Sequence, residues 1–461
     1  MPAGKFGLTF SIMKRILVVG AGEVGYHLAE RLTAEGHQVV VIETNPQRLK
    51  RLEKLNLLAV KGSGASAKTL EEAGIREADL FIAVTNSDEI NLISCLLARE
   101  YGVPLKIARV KSEEYLSPDS PLNEEKLGLD LIINPVRALA EEIVRLSRFP
   151  QLSEWEEFGE GQILLIGYQV RPKTTLAGVR ISDLLELRKL YAFLIVAIVR
   201  KGQTLIPRGD TVLRPQDRVF LILKKKDLKA IEHLLGIRLS PPRKVFIVGG
   251  GKVGKLVAEK LEQEVEEVLV VESDLGRCEA LSEGLSRALV LNLDGLEAQE
   301  LLKEGLDRAD LLISVTNSDT VNILSALLAK HYGARRVIIR VDHPDFIPLL
   351  QPLGIDKALS SRLVTSDQIL RFVKSSRIFS VTSFLETRAE VEEIEVPPKA
   401  PFEKGIEIKE LKLPEDTIVG ALYRNGEVLI PSGDTVIKSG DLLVLIGLRK
   451  GLSRVEKIFE L

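Results

Sequence analysis

The chain has 461 residues, 45% of them hydrophobic and 28% charged, with a formal net charge of −2. This is the composition of a folded protein of several domains, and the near-neutral balance with 5% aromatic residues excludes the basic, stacking-rich surface of a nucleic-acid binder. The longest apolar run, Ala192–Val199, is far short of the about 20 residues that cross a bilayer, and two cysteines with five histidines in no ligand spacing argue against a disulfide scaffold or a zinc site.

Residues 1–13 lack the long apolar stretch of a signal peptide and read as a lead-in, with Met13 a second possible start. From Lys14 onward, short β-branched runs (ILVVG, VVVIE, LFIAVT, KIARV) alternate with segments of helical period such as GYHLAERLTAEG. That alternation predicts βαβ units around a parallel sheet over 14–134. An amphipathic joining helix is expected over 135–153. A smaller module over 154–238 has short strands separated by Gly-Asp turns, the pattern of a small α+β domain. The order then repeats, with a large module over 243–359, a joining helix over 360–378 and a small module over 379–461.

The repetition is explicit in the residues. KRILVVGAGEVGYHLAERL (14–32) recurs as RKVFIVGGGKVGKLVAEKL (243–261), and LFIAVTNSDEINLISCLLA (80–98) as LLISVTNSDTVNILSALLA (311–329). TLIPRGDTVLRPQDRVFLI (204–222) matches VLIPSGDTVIKSGDLLVLI (428–446). A repeated supersecondary unit of this kind dictates a duplicated architecture. The expected fold is two Rossmann-like doubly wound parallel-sheet domains, each followed by a small α+β domain.

GAGEVG follows a predicted strand and opens a predicted helix, the setting that the dinucleotide fingerprint requires. Gly20 permits the tight turn, Gly22 lets a phosphate approach the backbone, and Gly25 allows close packing of the helix. The helix N-terminus offers unpaired N–H groups to the phosphates. Glu43 ends the second strand, where a carboxylate binds both ribose hydroxyls and repels a 2′-phosphate, favouring NAD or an adenosine nucleotide over NADP. GGGKVG and Glu272 repeat the array, with Gly249, Gly251 and Gly254 as its glycines. Lys252 reads either as a phosphate contact or as a solvated lysine. Ser63 and Asp294 hold the same position in the loops after the third strands, as adenine-side contacts or plain turn residues. In VTNSD, Thr85, Asn86, Thr316 and Asn317 stand at the strand edge where doubly wound folds bind ligands, although helix capping by Ser87 and Asp88 explains the motif nearly as well. Arg109 and Arg340 end the next strand and suit a phosphate, a neighbouring subunit or a surface ion pair.

These motifs together, followed by IPRGDTVLRPQD, resemble the regulator of potassium conductance family. A chain with two N and two C modules in tandem resembles the members that serve Trk-type potassium uptake, and the likeness runs from about Lys14 to the C-terminus. It implies N modules that bind NAD(H) or the adenine nucleotides ATP and ADP. It further implies a homo-oligomer, a dimer or tetramer forming a ring of domains, beneath a membrane potassium transporter subunit. The chain would then be cytoplasmic, peripheral at the inner face of the membrane, and not an enzyme. The implied ligand residues are Gly20, Ala21, Gly22, Glu23, Val24, Gly25, Glu43, Ser63, Thr85, Asn86 and Arg109 in the first copy. In the second they are Gly249, Gly250, Gly251, Lys252, Val253, Gly254, Glu272, Asp294, Thr316, Asn317 and Arg340. Ser63 stands where the family often has Asp, and Leu293 where glycine is usual. Two rival readings are an NAD-dependent oxidoreductase and a nucleotide sensor for another channel or exchanger. Hydride transfer needs a proton donor beside the nicotinamide, and no histidine recurs between the copies; His27 and His37 read as surface residues.

Overall fold

The computed structural model describes residues 14–115, 124–152, 154–172, 174–237, 239–350, 352–373, 378–383 and 389–459. The lead-in 1–13 and residues 374–377 of the expected second joining helix lie outside them. The chain forms two compact units. One gathers the two large modules, with residues 1–143, 246–263 and 267–370, and the other the two small ones, with residues 144–245, 264–266 and 371–461.

In the first unit, strands β1 (Arg15–Val19), β2 (Gln38–Glu43), β3 (Leu58–Lys61), β4 (Leu80–Ala83), β5 (Leu105–Arg109) and β6 (Leu131–Ile133) form one parallel sheet in the order β3-β2-β1-β4-β5-β6. The central strands are continuous apolar runs because helices cover both faces, leaving no solvent side that would call for alternation. Ile16, Leu17, Val18, Phe81 and Ile82 are all fully buried. The helix Glu23–Ala34 buries Val24, Leu28 and Leu32, one per turn, against this sheet. After the small module come β12 (Lys244–Val248), β13 (Glu267–Glu272), β14 (Leu289–Asn292), β15 (Leu311–Ser314), β16 (Arg336–Arg340) and β17 (Lys357–Leu359), in the same order, β14-β13-β12-β15-β16-β17. The joining helices are Pro135–Ser147 and Ser361–Val373. The first of them approaches the second large module, where Glu141 faces Lys260 at 3.6 Å.

The second unit holds two antiparallel sheets. The first contains β7 (Glu154–Phe158), β8 (Ile163–Gln169), β9 (Phe193–Arg200), β10 (Gln203–Leu205) and β11 (Arg218–Lys224), ordered β10-β9-β11-β8-β7. The second contains β18 (Ile378–Ser383), β19 (Ala389–Glu395), β21 (Thr417–Arg424), β22 (Glu427–Leu429) and β24 (Leu442–Leu448), ordered β18-β19-β24-β21-β22, with a short pair β20 (Ile406–Glu407) and β23 (Val436–Ile437) beside it. Read from the opposite edge, the second order repeats the first. Each sheet turns one face to its own helix, Leu228–Leu235 or Arg449–Phe459. The opposite faces meet in one core, where Leu194, Val196, Phe220 and Ile222 pack with Val391, Ala421, Val444 and Ile446. The apolar run Ala192–Val199 is thereby explained: β9 is buried on both sides, by its own helix layer through Phe193 and Ile195 and by the second sheet through Leu194 and Val196. In both small modules a buried aspartate anchors an arginine. Arg200 reaches Asp217 at 2.6 Å and Arg424 reaches Asp441 at 2.5 Å, with both carboxylates 2% exposed.

Candidate functional site

Strand order reverses between β1 and β4, and again between β12 and β15. Such a switch point leaves a crevice beyond the C-terminal strand ends, and the sequence-predicted residues gather there. The three glycines of each turn differ in what the fold asks of them. Gly20 and Gly249 have φ of 98° and 105°, the left-handed region that favours glycine. A Cβ on Gly25 would lie 1.8 Å from the Gly20 carbonyl oxygen, and one on Gly254 1.9 Å from that of Gly249. Gly22 and Gly251 are ordinary extended residues, and a Cβ on either meets nothing within 4 Å. The fold requires the outer glycines and leaves the space at the middle ones open.

Gly22 and Gly251 are also the N-caps of helices Glu23–Ala34 and Lys252–Leu261, and neither helix has a side-chain cap. The first-turn N–H groups therefore lack intrahelical partners and carry the positive end of the helix dipole. Glu23 is occupied by Arg51 at 2.5 Å, and that guanidinium lies over the Tyr26 ring. Lys252 is exposed. Val24 and Val253 are buried and anchor the helices from below.

The acids at the ends of β2 and β13 are tied to these turns. Glu43 Oε2 accepts from the Ala21 N–H at 2.7 Å, and its Oε1 accepts from the backbone of Thr44 and Asn45. Burial works against the charge, but the N–H groups of Asn45, Ala21 and Thr44, with the Arg48 charge, outweigh it and hold the carboxyl below the usual range. Glu272 makes the matching hydrogen bonds, its Oε2 accepting from the Gly250 N–H and its Oε1 from the Asp274 N–H, each at 2.9 Å. Each oxygen has two lone pairs, so Glu43 Oε2 keeps acceptor capacity beside the turn, whereas Glu272 Oε2 also accepts from Arg277 Nη1 at 3.4 Å. Ser63 Oγ accepts from Ala65 N–H and Asp294 Oδ1 from Leu296 N–H, so both side chains close their own loops. Gly62 is required where its counterpart is Leu293, because a Cβ there would run into Thr69 at 2.5 Å.

On the other side of the switch point, Thr85 and Thr316 turn their hydroxyls inward. Thr85 Oγ1 donates to Asn91 Oδ1 at 2.7 Å, and Thr316 Oγ1 to Asn322 Oδ1 at 2.7 Å. The amide nitrogens of Asn91 and Asn322 bridge onward to the carbonyls of Arg109 and Arg340, at 2.8 and 3.0 Å. Both asparagines are fully buried, and sequence reasoning missed them. Their signal was the asparagine that recurs three residues after the aspartate in SDEIN and SDTVN. The capping reading divides in two: Ser87 does cap its helix, accepting from Ile90 N–H, whereas Asp88 reaches over to accept from Lys111 and Ser112 N–H. His27 and His37, expected at the surface, are half-buried, and burial lowers the His27 imidazole's affinity for a proton.

The two clefts differ at the ends of β5 and β16. Arg109 Nη1 donates to the Thr85 carbonyl and to Asn86 Oδ1, each at 3.3 Å, while its buried Nε has no hydrogen-bond partner. Burial lowers its pKa, opposed by the Asp88 charge and reinforced by that of Arg362. Arg340 instead forks onto Asp342, with Nη2 at 2.9 Å and Nε at 3.2 Å, and donates from Nη1 to Asn317 at 3.1 Å.

The chain matches the TrkA-N domain family model over residues 16–135 and 245–361 and the TrkA-C domain model over residues 165–236 and 391–460. The chain belongs to the TrkA family. It is 37% identical over 451 residues to a Trk system potassium uptake protein TrkA homolog of Archaeoglobus fulgidus, covering 96% of this chain and 100% of the relative. The TrkA protein of Halomonas elongata is 35% identical, with coverage of 97% and 98%. Among solved structures, the GsuK RCK domain shares the fold at a TM-score of 0.59 and 23% identity, over 98% of this chain and 96% of that one. The GsuK channel bound to NAD gives 0.59 at 22% identity, over 98% and 80%. Among the described residues no group of three or more His, Cys, Asp or Glu is placed to hold a metal ion. No described helix is long and apolar enough to cross a membrane.

Proposed function

We propose that this TrkA-family chain is the nucleotide-binding gating subunit of a Trk-type potassium uptake system. Each large module takes NAD(H) or an adenine nucleotide, ATP or ADP, in the crevice at its switch point, and the ligand biases the subunit between arrangements that set potassium flow. The pyrophosphate lies on the first turn of helix Glu23–Ala34 or Lys252–Leu261, with Glu43 or Glu272 at the adenosine ribose. The observation that carries this reading is the pair Gly22 and Gly251, whose missing side chains leave open space that no protein atom claims, each against an uncapped helix N-terminus. Four modules in series suit a homo-oligomeric ring at the cytoplasmic face of the membrane, held there by the transporter. The chain acts by binding: a ligand shifts such an equilibrium only by its differential affinity for two states, and the threonine hydroxyls at the crevice edge are committed to Asn91 and Asn322.

Calorimetric titration of the full chain with NAD, NADH, ATP and ADP, followed by potassium flux through the reconstituted transporter with and without the chain, tests the proposal. Binding that disappears on Gly22→Asp together with Gly251→Asp, and flux that responds to nucleotide only when the chain is present, is expected. Absence of binding to all four nucleotides would sink it, as would steady turnover of NADH across a substrate panel.

A further inference from the structure

The two halves carry opposite charges at one position of the crevice edge. Counted by the offset between the arginines (340 minus 109, or 231), Lys111 in the first half corresponds to Asp342 in the second. Each stands two residues past the arginine that ends its strand, above the loop held by Asp88 or Asp319.

The exchange changes what the arginine is free to do. In the second half Asp342 accepts from both Nη2 and Nε of Arg340, and Asn317 takes Nη1, so every guanidinium nitrogen is engaged. In the first half Arg109 has only neutral acceptors and one buried nitrogen without a hydrogen-bond partner. Lys111 Nζ likewise donates to a neutral acceptor, the Asn86 carbonyl, at 2.9 Å. The first edge thus holds two cations with no ion-pair partner among the described residues, and the second a neutralised pair.

The position of this edge gives the difference its meaning. In a doubly wound sheet the adenosine half of a ligand lies over the β1–β2 side, and the remainder crosses the switch point towards β4 and β5. What reaches Arg109 or Arg340 is therefore the part beyond the shared diphosphate: a third phosphate in ATP, or the nicotinamide riboside in NAD. Two further charge differences, Glu23 against Lys252 at the first helical turn and Ser63 against Asp294 in the loop after the third strand, sit beside the diphosphate and adenosine that the ligands share. Both stand nearer to the parts that ADP, ATP and NAD share than to the part in which they differ, so they act mainly on the three affinities together.

We propose that the residue two places after the strand-end arginine sets the ligand of each cleft. Lys111 selects a nucleoside triphosphate in the first, and Asp342 turns the second away from a terminal phosphate and towards a dinucleotide. The inference rests on the nucleotide-binding reading and adds its division of labour. Charge-assisted hydrogen bonds to phosphate are about twice as strong as neutral ones, so gaining or losing one changes a binding ratio by about tenfold.

The test is calorimetry on the full chain with ADP, ATP and NAD, in a Gly251→Asp background that reports the first cleft and a Gly22→Asp background that reports the second. Lys111→Asp is expected to lower the ATP-to-ADP affinity ratio of the first cleft about tenfold, and Asp342→Lys to raise that of the second about tenfold. Lys111→Gln and Asp342→Asn should move each ratio part of the way. A ratio taken within one variant cancels any general loss of binding-competent protein. Ratios that stay within about twofold of the parent in both charge reversals overturn the inference while leaving nucleotide binding intact. Wild-type protein that binds none of the three overturns the underlying reading itself, and is seen before any variant is made.

Discussion

The Gly25 Cα and the Gly20 carbonyl oxygen are so close that one methyl group on Gly25 would approach that oxygen to 1.8 Å. Relief requires the helix and the turn to separate, and overpacking of this kind costs about 1–3 kcal/mol. Gly25→Ala should therefore lower the first thermal unfolding transition by several degrees. Gly22→Ala, which meets nothing within 4 Å, should leave that transition in place and weaken nucleotide binding. Differential scanning calorimetry beside ligand titration separates the two; equal transitions in both variants would refute the division of roles.

Asn91 joins the ends of two strands with one side chain. Replacing it with leucine strands the Thr85 N–H and the Arg109 carbonyl, which now bond to its amide, and leaves the Thr85 carbonyl only the Arg109 guanidinium. Buried polar groups left unpaired cost about 1–3 kcal/mol each. We expect Asn91→Leu to lose at least 2 kcal/mol, roughly one such penalty, in urea denaturation followed by circular dichroism. A loss below about half of one such penalty would show that water or a rotated backbone replaces the bridge.

Glu43 makes stability depend on acid. Its folded-state pKa is depressed, so the stabilisation it provides is complete above the unfolded carboxylate pKa of about 4.3 and disappears as the pH falls through the lower folded value. Glu43→Gln removes the titrating group and turns a donor towards the Ala21 or the Asn45 N–H. The variant should be less stable than wild type at pH 7, and the gap should narrow below about pH 4.3. Denaturant midpoints measured across pH 3–7 decide it; a gap independent of pH would mean that the charge contributes nothing.

Ile222 is fully buried where the two small sheets meet, and a Cβ added at Gly420 would lie 3.0 Å from its Cδ1. Truncation to alanine opens a cavity that close backbone packing cannot readily fill, at a cost of about 2–5 kcal/mol. Ile222→Ala should lower the unfolding transition of the small modules while the nucleotide affinities of the large ones stay within about twofold of wild type, a change of less than 0.5 kcal/mol. A loss of nucleotide binding with unchanged stability would contradict this.

The layout of the fold was legible because its determinants are local. Strands with two buried faces and glycine-punctuated turns have unmistakable patterns, and the duplication displayed each pattern twice. The glycine turn and the placement of Glu43 followed for the same reason. Asn91 and Asp88 were not read correctly because their partners, Arg109 and Lys111, are 18 and 23 residues away and become neighbours only once β4 and β5 pair. Capping by Ser87 was a sufficient local explanation of the same residues. Which surface covers β9 was equally hidden in the residues. The run through Leu194 and Val196 announces burial, but hydrophobicity has no direction and does not say which surface provides it.

The shared core of the small modules has a consequence for dilution. Two copies of such a module on separate chains would pair only above their dissociation constant. Here the two sheets belong to one polypeptide, and each meets the other at an effective concentration set by the intervening chain and not by the amount of protein. Their pairing is therefore insensitive to how much protein a cell makes. A single codon change also alters one half alone, as at Lys111 and Asp342, whereas in a symmetric pair of identical chains every substitution would appear on both sides at once.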